Sequence, residues 1–255
     1  MGTRSHPRRT PGGGTTQVMA HYAVTKNGEH DPGCRYDFKN RAERIILDSR
    51  GSVVHVGDMY ELIVPSPDKI EPPDRLPSSK PGRPRARLQV SSSTRTLTPA
   101  LGSAARILRL LRDFDDDPDA ANRFRARYAG KKITWPRFCR NMTETTAIAS
   151  LLPKFADIQH PLAFHGTVGT IDTIGSGDTY QLSNDHHTGL VDHAGRQRRI
   201  RVVVRSKNPD TFTHVQPGDR WLGFGHWNLW TADRAPIAEL KLWIDGPWSL
   251  ATWHD

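Results

Sequence analysis

The last third of the chain constrains the fold most, because it carries five short runs in which apolar and polar residues alternate. The runs are residues 163–171, 179–182, 198–205, 220–227 and 237–244. Turn-forming steps such as Pro217-Gly218-Asp219 separate them. Alternation with a period of two places successive side chains on opposite faces of a strand. Five such strands in this short stretch predict a small antiparallel sheet or barrel.

The rest of the chain predicts an α+β protein with several units. In order they are a disordered basic head (1–18), a small strand-containing module (19–64), a proline-rich linker (65–97), a helical unit (98–158) and the five-stranded barrel (160–255). Seven prolines stand between Pro65 and Pro84, a density that a helix or central strand does not tolerate. Thr98-Pro99 and Asp117-Pro118 are helix-start signals, so we expect a helical hairpin in the fourth unit.

The charge of the chain suggests an acidic partner. The formal net charge is +9, and residues 161–255 hold nine basic and ten acidic side chains, so the positive excess lies in the first 160 residues. Basic proteins of this kind often contact nucleic acid. No apolar run is long enough to span a bilayer, and the basic N-terminus lacks the apolar stretch of a secretory signal. We therefore expect a cytoplasmic protein without a membrane partner.

The third of the five runs predicts a basic stripe. Its aliphatic residues alternate with arginines, and no acidic residue lies between Ala194 and Asn208. Alternation puts Val203 on the same face as the arginines. The cations that we expect to hold phosphates are Arg196, Arg198, Arg199, Arg201, Arg205 and Lys207.

Aromatic residues accompany this stripe. Six of the seven tryptophans fall in residues 221–255. If the aliphatic residues of the fourth and fifth runs fill the core, alternation leaves Trp221, Trp227 and Trp243 outside. Exposed aromatic rings beside arginines form a stacking surface for unpaired bases. We expect Trp221 and Trp243 to stack bases, together with Tyr180 on the second run.

The segments FHGTVGTI, TYQL, RIRVVVR, QPGDRWLGFGHW and AELKLWI, in this order, resemble the strands of the OB-fold, a five-stranded barrel common in nucleic-acid-binding proteins. The resemblance covers residues 162–253 and implies single-stranded nucleic acid as the partner. We therefore predict non-catalytic binding of low sequence specificity, with DNA favoured over RNA. Neutralisation of about four phosphates would give a log–log salt slope near −3.

A possible metal site lies near the N-terminus, where AHYAVTKNGEHDPGCRYD places His21, His30 and Cys34 at H-x8-H-x3-C spacing. The segment resembles the end of the zinc-binding segment of competence-protein CoiA-like proteins. An upstream cysteine pair usually completes that site, and this chain has none. Structural zinc takes four protein ligands, so a complete site needs a fourth such as His6, Asp31 or Asp37, or a ligand from elsewhere. Without a fourth ligand, the segment is a metal-free remnant of such a site. No other cofactor is expected.

Two alternative functions remain open. Glu239-Leu240-Lys241 matches the E-x-K half of a metal-dependent nuclease motif, in which carboxylates hold Mg²⁺ and the lysine steadies the attacked phosphate. The barrel could instead bind another protein, with tryptophans as anchors. Phosphate loops, nucleophile elbows and zincin motifs do not occur in the sequence.

Overall fold

A computed structural model describes residues 6–9, 15–18, 37–65, 92–143, 148, 151–175, 177–184, 188–191, 197–231, 237–244 and 250–254. Within them the fold is mixed α/β, with mostly strands, few helices and open sheets. The helices are α1 (Phe38–Asp48), α2 (Ser92–Asp113), α3 (Pro118–Ala121) and α4 (Trp135–Phe138), with 3-10 turns at Leu152–Asp157 and Pro209–Phe212. None of these described helices has the length and hydropathy needed to cross a membrane.

The strands form three sheets. They are β1 (His6–Arg9), β2 (Thr15–Val18), β3 (Val53–Val56), β4 (Met59–Val64), β5 (Phe124–Tyr128), β6 (Lys131–Thr134), β7 (Cys139–Asn141), β8 (Leu162–Ile174), β9 (Thr179–Asn184), β10 (Thr188–Val191), β11 (Gln197–Ser206), β12 (Arg220–Gly225), β13 (Asn228–Thr231), β14 (Ile237–Trp243) and β15 (Leu250–Trp253). β1 pairs with β2, and β3-β4-β5-β6 form a four-stranded sheet. The other nine strands form the large sheet.

All five strands predicted in the C-terminal part are present, as β8, β9, β11, β12 and β14. They lie side by side in the order β14-β11-β9-β8-β12, with β13 and β15 added at the two ends of the sheet. β11 and β14 are parallel, whereas β8 pairs antiparallel with β9 and β12. Within the described residues, no ladder of hydrogen bonds joins β12 to β14. The sheet is therefore open, and the expected closed barrel is not shown.

Two glycines of β12 explain how the ends of the five-stranded region approach each other. A Cβ atom at Gly225 would lie 2.8 Å from Leu242 Cδ1, and one at Gly223 would lie 3.3 Å from Leu242 Cδ2. β12 has room for the Leu242 side chain only because these two positions lack side chains. Leu242 thus packs with Trp221 and Trp227 in the C-terminal core.

The expected helical hairpin is wrong in its second helix. Asp117 caps α3 as predicted, its carboxylate accepting from the Asp119 backbone N at 3.0 Å, but α3 has only four residues. The residues that follow form β5, which pairs in parallel with β4. Ala129 and Gly130 both have positive φ and turn the chain into β6. Helices α1 and α2 and strands β3–β6 therefore form one N-terminal unit, whereas β7, which also lies within 98–158, pairs with β8 in the large sheet.

The N-terminal segments also differ from expectation. The described part of the basic head, β1 and β2, forms an antiparallel pair, where we expected disorder. α2 begins at Ser92, inside the expected linker, and encloses Pro99 instead of starting there. Ser52 Oγ donates to the Pro99 carbonyl at 3.1 Å and lies 2.8 Å from Ser103 Oγ of α2, so one hydroxyl group of the loop before β3 contacts this helical turn. The remainder of the linker lies outside the described residues.

Two apolar cores hold the molecule together. The first joins α1 and α2 to the inner face of the four-stranded sheet and reaches Leu222 and Phe224 of β12. The second fills the inner face of the large sheet and contains Trp221. β12 is therefore buried on both faces, because one face packs on the N-terminal unit and the other on the C-terminal core.

Candidate nucleic-acid interface

The candidate site is the outer face of the large sheet, on the side away from its core. We call it the basic face. Its residues are Gln181 and Ser183 of β9, Arg201, Val203 and Arg205 of β11, Glu239, Lys241 and Trp243 of β14, and Asn228 and Trp230 of β13. Period-two alternation places each of them opposite the aliphatic residues that fill the core.

Strand register brings the charged groups of this face together. In the parallel pair, Arg201 lies opposite Glu239, and Arg205 lies opposite Trp243. On the other side of β14, Trp230 lies opposite Glu239. A carboxylate is thus surrounded by long cationic side chains from its own strand and from the next one.

Glu239 is the centre of the cluster. Arg201 Nη2 donates to its Oε1, Arg205 Nη2 donates to Oε2 at 3.0 Å, and Lys241 Nζ lies 3.0 Å from the same Oε2. Three positive charges share one negative charge, which leaves a net charge of +2. Across β9 the charge falls off, because exposed Asp172 lies opposite Gln181 at that side. The excess positive charge is therefore concentrated on β11 and β14.

The ionisation of Glu239 follows from these contacts. Burial alone raises the pKa of a carboxyl group, but hydrogen bonds from Arg201 and Lys241 and the charges of Arg201 and Arg205 outweigh burial here. The pKa of Glu239 is therefore below its ordinary value, and the group is ionised at neutral pH.

Neighbouring side chains fix the cations in place. Arg205 Nε donates to Gln181 Oε1 at 2.8 Å, and Lys241 Nζ stands 4.5 Å from the centroid of the Trp230 ring. Val203 points to the same face as predicted but is buried. Long aliphatic stems of arginine and lysine commonly cover such a residue while their charged ends stay near solvent.

Two large aromatic side chains flank the cations. Trp230 is 46% exposed and Trp243 is 49% exposed. Trp243 lies four residues beyond Glu239, and Trp230 lies beside Glu239 on the next strand. At about 3.3 Å per residue and about 4.8 Å between strands, their Cα atoms are about 14 Å apart. This distance equals about four base steps at the duplex rise of 3.4 Å, and fewer steps of an extended strand.

The tryptophans divide differently from the sequence prediction. Trp243 is exposed, as expected. Trp221 is completely buried and Trp227 nearly so, with Trp227 Nε1 donating to the Leu162 carbonyl at 3.1 Å. The expectation that Trp221 stacks bases is therefore wrong, because its ring fills the core. The position of Trp230 on this face was not predicted, because the short strand β13 was not among the five runs predicted from the sequence.

The other predicted residues fall into three groups. Tyr180 is half-buried on the core side of β9, so it does not share the basic face with Arg201 and Arg205. Lys207 is exposed just beyond the end of β11. Arg196 and the side chains of Arg198 and Arg199 lie outside the described residues, as do His21, His30 and Cys34. In the part of the chain that is described, no cluster of three metal-ligating side chains occurs.

The geometry does not fit a nuclease centre at Glu239 and Lys241. Both oxygens of the Glu239 carboxylate contact cationic groups. The three positive charges around it would repel a divalent cation, and Lys241 is engaged with Glu239 itself. Its direct contacts indicate that Glu239 orders the basic face.

Comparisons with known proteins identify no family. No family model matches the chain, and no curated protein matches it. Among solved structures, the chain is similar to a Plasmodium falciparum SSB in complex with ssDNA, at 17% sequence identity and a TM-score of 0.23. The similarity covers 38% of this chain and 94% of that chain. The chemistry of the basic face therefore has to be derived from its own residues.

Proposed function

We propose that the protein binds single-stranded DNA through the basic face, without catalysis and with little sequence specificity. The main support is that two half-exposed tryptophans and a cation cluster share one open sheet face, with Lys241 between the two rings and Arg201 and Arg205 on the adjacent strand. Stacking rings and phosphate-binding cations are the two elements of general single-strand binding.

Each element of the face has a separate task in this proposal. Trp230 and Trp243 stack two bases of the strand, and every base offers a π-face for this contact. Arg201, the most exposed of the three cations at 31%, contacts a phosphate directly, while Arg205 and Lys241, at 13% and 16%, add to the positive charge that attracts the strand. Glu239 holds the three cations in position before the strand arrives, so their order is established in the free protein. We place this activity in the cytoplasm.

A protein partner is the second candidate, favoured by the same exposed tryptophans, because aromatic residues are frequent anchors of protein interfaces. The two candidates differ in what the cations do. Phosphate contacts displace counterions from the nucleic acid, whereas an aromatic anchor in a protein pocket does not.

The proposal predicts a steep salt dependence. The net charge of +2 neutralises about two phosphates, which gives a log–log slope of about −1.4, so affinity for an oligothymidylate falls about sevenfold between 50 and 200 mM salt. Further contacts from Arg199 or Lys207 would steepen the slope. Quenching of tryptophan fluorescence measures the binding. An affinity that does not change over this salt range contradicts the proposal and favours the protein partner.

A further inference from the structure

We propose that the outer face of the N-terminal four-stranded sheet is a second contact site for phosphates of the same DNA strand. The inference rests on the proposed function of the basic face and extends it. The site consists of Glu61 on β4, Arg125 and Arg127 on β5, and Lys132 on β6. We call these four residues the second cation cluster.

The second cation cluster is built around a buried carboxylate. Glu61 is only 1% exposed. Arg125 Nε donates to its Oε1 at 2.7 Å, Arg127 Nε lies 3.5 Å from Oε2, and Lys132 Nζ lies 3.8 Å from Oε1. Three positive charges again share one negative charge, which leaves a net charge of +2.

The construction matches that of the basic face. Glu61 lies directly opposite Arg125 in a parallel strand pair, as Glu239 lies directly opposite Arg201. A buried ion cluster contributes little net stability, because desolvation offsets most of the Coulomb attraction. Its clear effect is to fix cationic side chains on a sheet surface. Both units of the protein thus carry the same arrangement of charge.

Two cations of the second cation cluster, Arg127 and Lys132, are exposed to solvent. The inner face of this sheet, with Tyr60, Leu62 and Phe124, packs on α1 and α2. On the outer face the exposed fraction of the cationic side chains rises from 20% at Arg125 to 43% at Arg127 and 56% at Lys132. Arg127 and Lys132 can therefore reach a ligand while Arg125 stays on Glu61.

The chemistry of the cluster selects phosphates and not bases. Apart from the cations and Glu61, the described outer face offers small or aliphatic side chains such as Val54, Ile63 and Thr134, and no aromatic ring. A surface with excess positive charge and no stacking ring complements a polyanionic backbone. We therefore assign it to the sugar-phosphate backbone beyond the nucleotides that the basic face stacks.

The test compares a short and a long oligothymidylate, of about 8 and about 40 nucleotides, with the full chain. The double variant Arg127→Gln and Lys132→Gln keeps Arg125 on Glu61. We expect unchanged affinity for the short strand, about tenfold weaker binding of the long strand, and a salt slope for the long strand that is shallower by about 1.4. Lys39→Gln with Arg50→Gln removes two exposed cations elsewhere and serves as the matched control.

Equal long-strand affinity of wild type and double variant overturns the second site, and so does an equal loss for both lengths or an equal loss in the control. If the double variant unfolds, Lys132→Gln alone, at the exposed rim, still has to weaken the long strand about threefold. A wild-type protein that binds neither length refutes the proposed function itself, which separates that failure from failure of the second site.

Discussion

Replacement of both Trp230 and Trp243 by alanine is expected to weaken DNA binding by about 2–6 kcal/mol, at least about 30-fold. Each stacked base contributes about 1–3 kcal/mol, and these are the two exposed rings of the basic face. Because both side chains are half-exposed, the thermal unfolding midpoint should change little. Fluorescence anisotropy of a labelled oligothymidylate measures the affinity.

The matched control replaces Trp230 and Trp243 by residues that keep an aromatic ring. Phenylalanine at both positions retains a stacking surface and should recover most of the affinity. If the double alanine variant binds within a factor of two of wild type, the bases do not contact these rings. A simultaneous loss of affinity and of the folded state would contradict the half-exposed placement of the two tryptophans.

Acidification is expected to destabilise the protein through His165. Burial, aided by the positive charge of Arg220, lowers the pKa of His165 to about 4. In the unfolded chain its pKa is near 6.5, so between these values the unfolded state binds a proton that the folded state does not. The free energy of unfolding should therefore fall as the pH drops from about 6.5 to about 4, by up to about 3 kcal/mol.

Comparison of wild type with a His165 variant isolates the contribution of His165 to the acid-induced loss of stability. Urea unfolding of wild type and His165→Gln at pH 7 and pH 4.5 should show a smaller acid loss in the variant, because glutamine does not titrate. The same substitution at exposed His214 is the control, and its acid loss should equal that of wild type. Equal losses in wild type and His165→Gln would show that His165 does not stay neutral in the folded state.

Local patterns were sufficient to predict the C-terminal strands, because alternation and turn residues act over a few positions. They were not sufficient for Phe124–Tyr128, whose apolar residues continue a helical stripe from Ala121 and also alternate with Arg125 and Arg127. This segment is a strand and not a helix because it pairs with β4, more than sixty residues earlier in the chain. No local propensity reports such a partner.

The candidate site was predictable in part for the same reason. The period-two pattern placed Arg201 and Arg205 on one face, and Trp243 outside. It did not show which face of β12 would be covered, because Leu222 packs on the N-terminal unit and Trp221 on the C-terminal core. The contacts of Glu239 with Arg201 and Arg205 depend on the parallel register of β11 and β14, which sequence alternation leaves open.

Phosphate binding by the basic face is tested by two variants that break the same contact but change the charge in opposite directions. Arg201→Gln and Glu239→Gln both remove the ion pair between Arg201 and Glu239. The first lowers the net charge of the cluster to +1, and the second raises it to +3. If the cations bind phosphate, Arg201→Gln weakens and Glu239→Gln tightens oligothymidylate binding, each about fivefold at low salt, since one unit of charge changes the attraction of a nearby phosphate by about 1 kcal/mol. The amide oxygen of glutamine at position 239 still accepts a hydrogen bond from Arg205 or Lys241, so these side chains keep a partner. Loss of affinity in both variants, or change in neither, would contradict a phosphate-binding face.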